Sequence, residues 1–128
     1  MNPEVIDMSR KRFVPARLAI LEETPFPDAN TAWFWFMHSQ KARWDGARFE
    51  RGLADAVRPC EPDDIYRCAR HLVDCGRIRT AHFKVPLRFG VLDRPPDPHQ
   101  PDEVLQTRLW EEALDALTTE LRGKGIIE

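Results

Sequence analysis

The residues best suited to chemistry lie between Arg58 and Gly76, a stretch that holds all three cysteines and one histidine. Cys68, His71 and Cys75 are spaced by three and four residues, and thiolates with imidazole are typical zinc ligands. On a helix, a rise of about 1.5 Å per residue separates Cys68 from Cys75 by about 10 Å. Sulfurs that far apart neither share one zinc ion nor form a disulfide. Any further zinc ligands must come from Cys60, His82 or His99.

We therefore interpret Cys68 and Cys75 as small apolar residues on the buried stripe of a helix, with His71 at its edge. We expect no cofactor, and a zinc-stabilised helical domain remains an alternative. Cys60 is not predicted to be a nucleophile, because the acidic residues that follow it oppose thiolate formation. Glycine-rich phosphate loops and hydrolase motifs are missing from the sequence, so we predict no enzyme.

The elements that position these residues begin with an aromatic run. Six consecutive apolar residues from Ala32 to Met37 would cover the whole circumference of a helix, so its first half should be buried on all sides. Asn30 or Thr31 is the predicted N-cap, and the helix should run to about Trp44 and end before Gly46.

The second helix has the clearest start in the chain. Pro62 suits the first helical position, with Glu61 at the cap and acidic residues in the first turn. Gly76 provides a left-handed stop. The following Gly-Arg-Ile-Arg segment, 76–79, is the short connection expected between the two helices of a helix-turn-helix.

Two further helices are predicted. Thr80 should cap a short helix over Ala81–Phe89, which Gly90 closes and in which Pro86 causes a kink or an early end. Four prolines make Asp93–Pro101 an extended, semi-rigid connection.

After that connection, Asp102 is the predicted cap of the last helix. This helix should run from Glu103 to about Arg122 and end at Gly123, because its leucines and Trp110 form an amphipathic stripe.

These elements predict an all-α single domain of about four main helices. Residues 1–30 form an irregular, proline-containing N-terminal arm, with one short helix over Pro15–Glu23, and residues 31–128 form the helical domain. The link Ala47–Pro59 is expected to contain a helical turn.

Composition sets the class of protein. The longest apolar run is far shorter than the roughly 20 residues of a membrane span, and the N-terminus lacks the features of a secretory signal. Three cysteines, an odd number, fit reduced thiols better than a disulfide framework. We therefore expect a cytoplasmic protein that does not insert into membranes.

The net charge is −2, and the charged residues are distributed unevenly along the chain. Lys41–Arg94 contains twelve Lys and Arg against eight Asp and Glu, whereas Pro95–Glu128 contains three against eight. Fifteen of the nineteen basic residues are arginine, which suits phosphate recognition but is also the composition that a GC-rich genome produces.

The leading functional hypothesis is a small regulator that binds DNA or an RNA polymerase complex through the basic turn and the helix after it. Its predicted nucleic-acid-binding residues are Arg77, Arg79, His82, Lys84 and Arg88. An ordinary solvated basic surface is the other interpretation. The second hypothesis is a protein-interaction or inhibitory module, which contacts a host or phage protein through an aromatic patch or through the acidic C-terminal helix. Its predicted partner-binding residues are Trp33, Trp35 and Trp44.

A resemblance to known proteins lies between Trp33 and Ile127. It rests on Arg58–Ile65, Leu72, His82, Phe89–Gly90, Leu109–Leu114 and Lys124–Ile127. In these residues the chain resembles a group of uncharacterised small proteins that lie among phage-type genes of alphaproteobacteria. The resemblance implies a cytoplasmic accessory protein and no site residues. Cys68, Cys75 and Pro86 depart from the pattern of that group, and the arrangement is distantly similar to phage late-gene antiterminators.

Overall fold

The computed structural model describes residues 23–46 and 56–128, which form a bundle of four helices. The helices are α1 Ala29–Trp44, α2 Pro62–Asp74, α3 Thr80–Leu92 and α4 Val104–Gly123, and a 3-10 turn at Pro101–Glu103 precedes α4. Each helix packs against the other three. The described residues contain two isolated β-bridges and no strand, so the predicted all-α class is confirmed.

Two predicted local elements cannot be compared with this bundle. The short helix over Pro15–Glu23 lies outside the described residues apart from its last position. The helical turn within Ala47–Pro59 lies mostly outside them, and the described part of that link is extended at Val57.

Helix α1 begins earlier than its sequence suggested. The Asp28 side chain accepts a hydrogen bond of 2.8 Å from the Thr31 amide and is the N-cap, so the predicted caps Asn30 and Thr31 are wrong. A carboxylate oxygen near the amides of the first turn is a strong cap, and it adds residues to the start of the helix.

Burial along α1 is one-sided rather than complete. Ala32, Trp33, Phe36 and Met37 are buried, whereas Phe34 and Trp35 are only partly covered. The prediction that the aromatic run is enclosed on all sides is therefore wrong, because the other three helices cover only part of the circumference of α1.

Helix α2 starts at Pro62 and stops before Gly76, as predicted. The Asp64 carboxylate accepts a 2.8 Å hydrogen bond from the Glu61 amide, which holds the first turn. Ile65, Cys68, Ala69 and Leu72 form its buried stripe. Cys75 does not belong to that stripe: it is an exposed residue at the C-cap, where the end of the helix turns it away from the core.

Helix α3 is longer than predicted. Its N-cap is Arg79 rather than Thr80, and it continues through Pro86 and Gly90 to Leu92. Proline removes one helical hydrogen bond, but Val85, Pro86, Phe89 and Gly90 are all buried, and their packing maintains the helix. The buried Trp33 indole N–H also donates a 2.8 Å hydrogen bond to the Pro86 carbonyl.

The proline-rich connection to α4 is held by an ion pair. Arg94 donates two hydrogen bonds to the Glu103 carboxylate, at 2.9 and 2.8 Å, and the Asp97 amide donates another of 2.7 Å. Glu103 is the N-cap of α4, one residue beyond the predicted Asp102. Gly123 is still helical, and the left-handed backbone after α4 occurs at Gly125, where φ is +75°.

The segment before α1 and the C-terminal tail close the bundle together. The Phe26 amide donates to the Ile126 carbonyl, and the Glu128 amide donates to the Phe26 carbonyl, each at 2.9 Å. Phe26, Ile126 and Ile127 are buried, so this end of the predicted arm belongs to the core.

The contact between Gly90 and Met37 generates a stability prediction. A methyl group on Gly90 would overlap Met37 Cγ and lie 2.9 Å from its sulfur, and Met37 is fully buried. We expect Gly90→Ala to lower the free energy of unfolding by about 1–2 kcal/mol, because overpacking outweighs the gain in helix propensity of roughly 1 kcal/mol. Urea denaturation measures this change.

Gly123→Ala is the matched control for that variant. Gly123 is also helical, but no atom outside its own helical turn lies near its Cβ position. This variant should leave the free energy of unfolding unchanged or raise it by up to about 1 kcal/mol. Equal effects of the two substitutions would contradict the role assigned to the Met37 contact.

The Arg94–Glu103 pair predicts a dependence of stability on pH. The two hydrogen bonds from Arg94, followed by that from the Asp97 amide, lower the pKa of Glu103 from 4.5 to about 2. A lowered pKa in the folded state stabilises the fold above the unfolded pKa, and this contribution disappears as pH falls from about 4.5 towards 2. At pH 7 the wild type should therefore unfold at a higher urea concentration than the Glu103→Gln variant. This difference in urea midpoint should shrink as the pH falls from about 4.5 towards 2. A difference that is constant with pH would contradict this.

Candidate nucleic-acid interface

The turn between α2 and α3 has a fixed backbone. Gly76 takes a left-handed conformation with φ of +80°, and the Arg77 and Ile78 amides both donate to the Leu72 carbonyl, at 2.8 and 3.2 Å. Ile78 is buried, whereas Arg77 and Arg79 on either side of it are exposed. Because Ile78 is anchored in the core between them, both arginines are left in solvent.

Helix α3 continues this basic surface. Lys84 and Arg88 are exposed and stand four residues apart, on the same side of the helix and about 6 Å apart along its axis. Together with the two arginines of the turn they form what we call the basic face: Arg77, Arg79, Lys84 and Arg88. The stretch from Cys75 to Leu92 that carries them contains no acidic residue.

Ion pairing separates the basic face from several arginines elsewhere in the bundle. Four arginines elsewhere lie 2.8–3.4 Å from a carboxylate oxygen, in the pairs Arg43–Asp63, Arg67–Asp64, Arg70–Asp74 and Arg94–Glu103. No carboxylate of residues 23–46 or 56–128 lies within ion-pair distance of a basic-face side chain. None of these four cations therefore forms a direct ion pair with a carboxylate of the described residues, although Arg88 contributes to the lowered pKa of Glu103.

The start of α3 adds a partial positive charge to this surface. Its N-cap is Arg79, a side chain that has no hydrogen-bond acceptor to offer to the amides of the first turn. Thr80 and Ala81 are exposed at this end. The helix dipole and these amides favour an anion at the place where the side chains of Arg77 and Arg79 emerge.

His82 lies differently from the other predicted contact residues. It is only 7% exposed, its Nδ1 accepts a 3.1 Å hydrogen bond from the Arg79 amide, and its Nε2 lies 2.8 Å from the Glu112 carboxylate of α4. Because Nδ1 is an acceptor, the ring proton is on Nε2 and is donated to Glu112. His82 thus holds the first turn of α3 and does not reach the surface.

The three tryptophans predicted to bind a partner have three different environments. Trp33 is 1% exposed inside the bundle, and Trp35 is partly covered and packs against Phe26, with ring centroids 5.0 Å apart and planes tilted by 54°. Trp44, at the end of α1, is 61% exposed. The structure therefore does not bring the three rings together into one exposed patch.

The cysteines and histidines form no metal centre among the described residues. No group of three or more His, Cys, Asp or Glu side chains in that part of the chain is placed to hold a metal ion. Cys60, Cys68 and His71 line a shallow groove of about 490 Å³ between α2 and the end of α4. Burial raises the pKa of the Cys68 thiol, which fits an unreactive core residue.

Sequence reasoning missed one partner of this site. Glu112 lies thirty residues from His82, and nothing in their spacing indicates that α3 and α4 bring the two side chains together. A histidine three residues after the N-cap is a local signal for a side chain that bonds back to the N-cap amide. That signal could have separated His82 from the exposed basic residues.

Comparisons with known proteins identify no relative. No family model matches the chain, and no curated protein or solved structure is significantly similar to it. In the described part of the chain, none of the helices combines the length and apolar character needed to cross a bilayer.

The capping role of His82 predicts a loss of stability on truncation. His82→Ala removes the bond to the Arg79 amide and the contact with α4, so the free energy of unfolding should fall by about 1–3 kcal/mol. Glu112→Gln keeps a hydrogen-bond acceptor at an exposed position and should lower it by less than about 1 kcal/mol. Urea denaturation compares the two, and an His82→Ala variant as stable as wild type would contradict the role.

Proposed function

We propose that this protein binds DNA through the basic face formed by the α2–α3 turn and the exposed side of α3. The observation that carries the proposal is a run of positive charge: four exposed cations, none within ion-pair distance of a carboxylate of residues 23–46 or 56–128, lie on a stretch that contains no acidic residue. A run of exposed arginines and lysines without intervening acids is the usual electrostatic signature of a phosphate-binding site.

Each part of the basic face suits a different contact. Arg77 and Arg79 flank the start of α3, where His82 holds the Arg79 amide and a phosphate can accept hydrogen bonds from first-turn amides. Lys84 and Arg88 lie further along the exposed side of α3, where they can reach the phosphates that flank the major groove. Pro86 is on the buried side of α3 and does not interrupt this surface.

The acidic remainder of the chain favours one orientation on DNA. The net charge is −2 although the basic face carries four positive charges, and α4 has Glu111, Glu112 and Asp115 exposed. Repulsion between that side of the bundle and phosphates would turn the basic face towards the duplex. A regulatory role in a phage-type setting, on DNA alone or in a complex with RNA polymerase, rests on the resemblance described above.

A protein-interaction module is the second candidate function, and the observation that favours it is the exposed Trp44. The predicted patch of three tryptophans is reduced to this one residue, because Trp33 is buried and Trp35 is partly covered by Phe26. We propose a binding protein in both cases, not an enzyme.

A DNA titration tests the basic face. We expect a fluorescently labelled duplex to bind at low salt, with log affinity falling against log salt at a slope of about −3.6 if all four cations contact phosphates. Arg79→Ala combined with Arg88→Ala should weaken binding by at least about tenfold and make the slope less steep by about 1.8. Fluorescence anisotropy measures both quantities.

Arg108→Ala combined with Arg122→Ala is the matched control. Both arginines are exposed on α4, and this pair of substitutions changes the net charge by the same amount. It should leave the affinity nearly unchanged. Because Arg122 also donates a 3.0 Å hydrogen bond to the Glu128 carbonyl of the C-terminal tail, urea denaturation checks that this variant is folded. Absence of binding at low salt, or equal losses in the two double variants, would overturn the proposal.

A further inference from the structure

A groove beside Trp44 lies on a different part of the bundle from the basic face. It is bounded by the end of α1, the start of α2 and the middle of α3, and it has a volume of about 430 Å³. Volumes of this order are typical of small-ligand sites. Its apolar lining consists of Phe36, Met37, Trp44, Tyr66 and Leu87.

The walls of this groove are rigid and largely aromatic. Phe36 and Tyr66 lie with ring centroids 5.7 Å apart, and Tyr66 continues edge-on to the buried Phe83, also at 5.7 Å. Trp44 is the wall that remains in solvent, whereas Trp33 and Trp110 are both buried. An exposed indole beside aromatic walls favours a flat aromatic ligand, since offset and edge-on ring contacts add to the burial of apolar surface.

The rim of the groove carries two guanidinium groups, and each forms an ion pair with a carboxylate. Arg43 lies 3.1 Å from Asp63 and donates a 3.4 Å hydrogen bond to the Gln40 side chain. Arg67 lies 2.9 Å from Asp64. Both ion pairs are solvent-exposed, and exposed pairs are weak enough for a ligand carboxylate to compete for the arginines.

From this arrangement we propose that the groove binds a small aromatic carboxylate, with its ring between Trp44 and Tyr66 and its carboxylate at Arg43 and Arg67. The aromatic walls select the ring, and the ligand carboxylate replaces Asp63 and Asp64 as the partner of the two guanidinium groups. This site is independent of the proposed DNA binding, because it contains no residue of the basic face.

Nuclear magnetic resonance of the full chain labelled with ¹⁵N tests the groove. The four tryptophans give four indole N–H signals, and Trp44→Phe assigns the one that belongs to the groove. The probe is 3-phenylpropionate, titrated to about 20 mM because ligands of this size bind with dissociation constants on the order of 1 mM. We expect a saturable shift of the Trp44 signal, with much smaller changes at Trp33 and Trp110.

The neutral analogue 3-phenylpropanol isolates the contribution of the carboxylate. It should bind about fivefold more weakly than the acid, as expected for the loss of one exposed charge-assisted contact. Arg43→Gln combined with Arg67→Gln should remove that preference without weakening the alcohol, whereas Arg70→Gln combined with Arg108→Gln should leave it intact.

Three results would overturn the proposal. They are the absence of a saturable Trp44 shift, equal affinity for the acid and the alcohol in the wild type, and an unchanged preference in the Arg43 and Arg67 double variant. The dispersion of the same spectra shows whether each variant is folded. Because the titration contains no DNA, its outcome is separate from that of the duplex experiment.

Discussion

The hydrogen bond from the Trp33 indole to the Pro86 carbonyl is the interaction on which the arrangement of this bundle depends. A buried indole N–H without an acceptor is costly, and here the acceptor lies fifty-three residues away on α3. Through this bond α1 fixes the rotation and the height of α3. The side of α3 that contains Pro86 faces the core, so Lys84 and Arg88 are left on the opposite side, in solvent.

The same placement of α3 sets the two surfaces that carry functional proposals. Leu87 follows Pro86 and forms part of the groove beside Trp44, while Arg88 is on the basic face. His82 and Glu112 hold the first turn of α3 against α4. The start of the basic face is therefore attached to two packed helices. Sites presented by packed helices keep their geometry, which suits the recognition of phosphates or of a small ligand.

Local sequence signals predicted the elements that depend on near neighbours. The start of α2 followed from Pro62 and the acidic residues after it, and its end followed from Gly76, because caps and left-handed glycines act within one turn. Prediction failed where a distant contact decided the outcome. Gly90 was expected to end α3, but packing on Met37 keeps it inside the helix.

The sequence by itself therefore determined the all-α class, the number of helices and the concentration of positive charge around the α2–α3 turn. Only the tertiary structure decided which of those residues are exposed: it buried His82 under α4 and left Arg79 exposed at the start of α3. It also separated Trp33 in the core from Trp44 at the surface. Composition and periodicity are properties of local chain segments, whereas burial and ion pairing depend on which segments meet, and that is set by packing between residues distant in sequence.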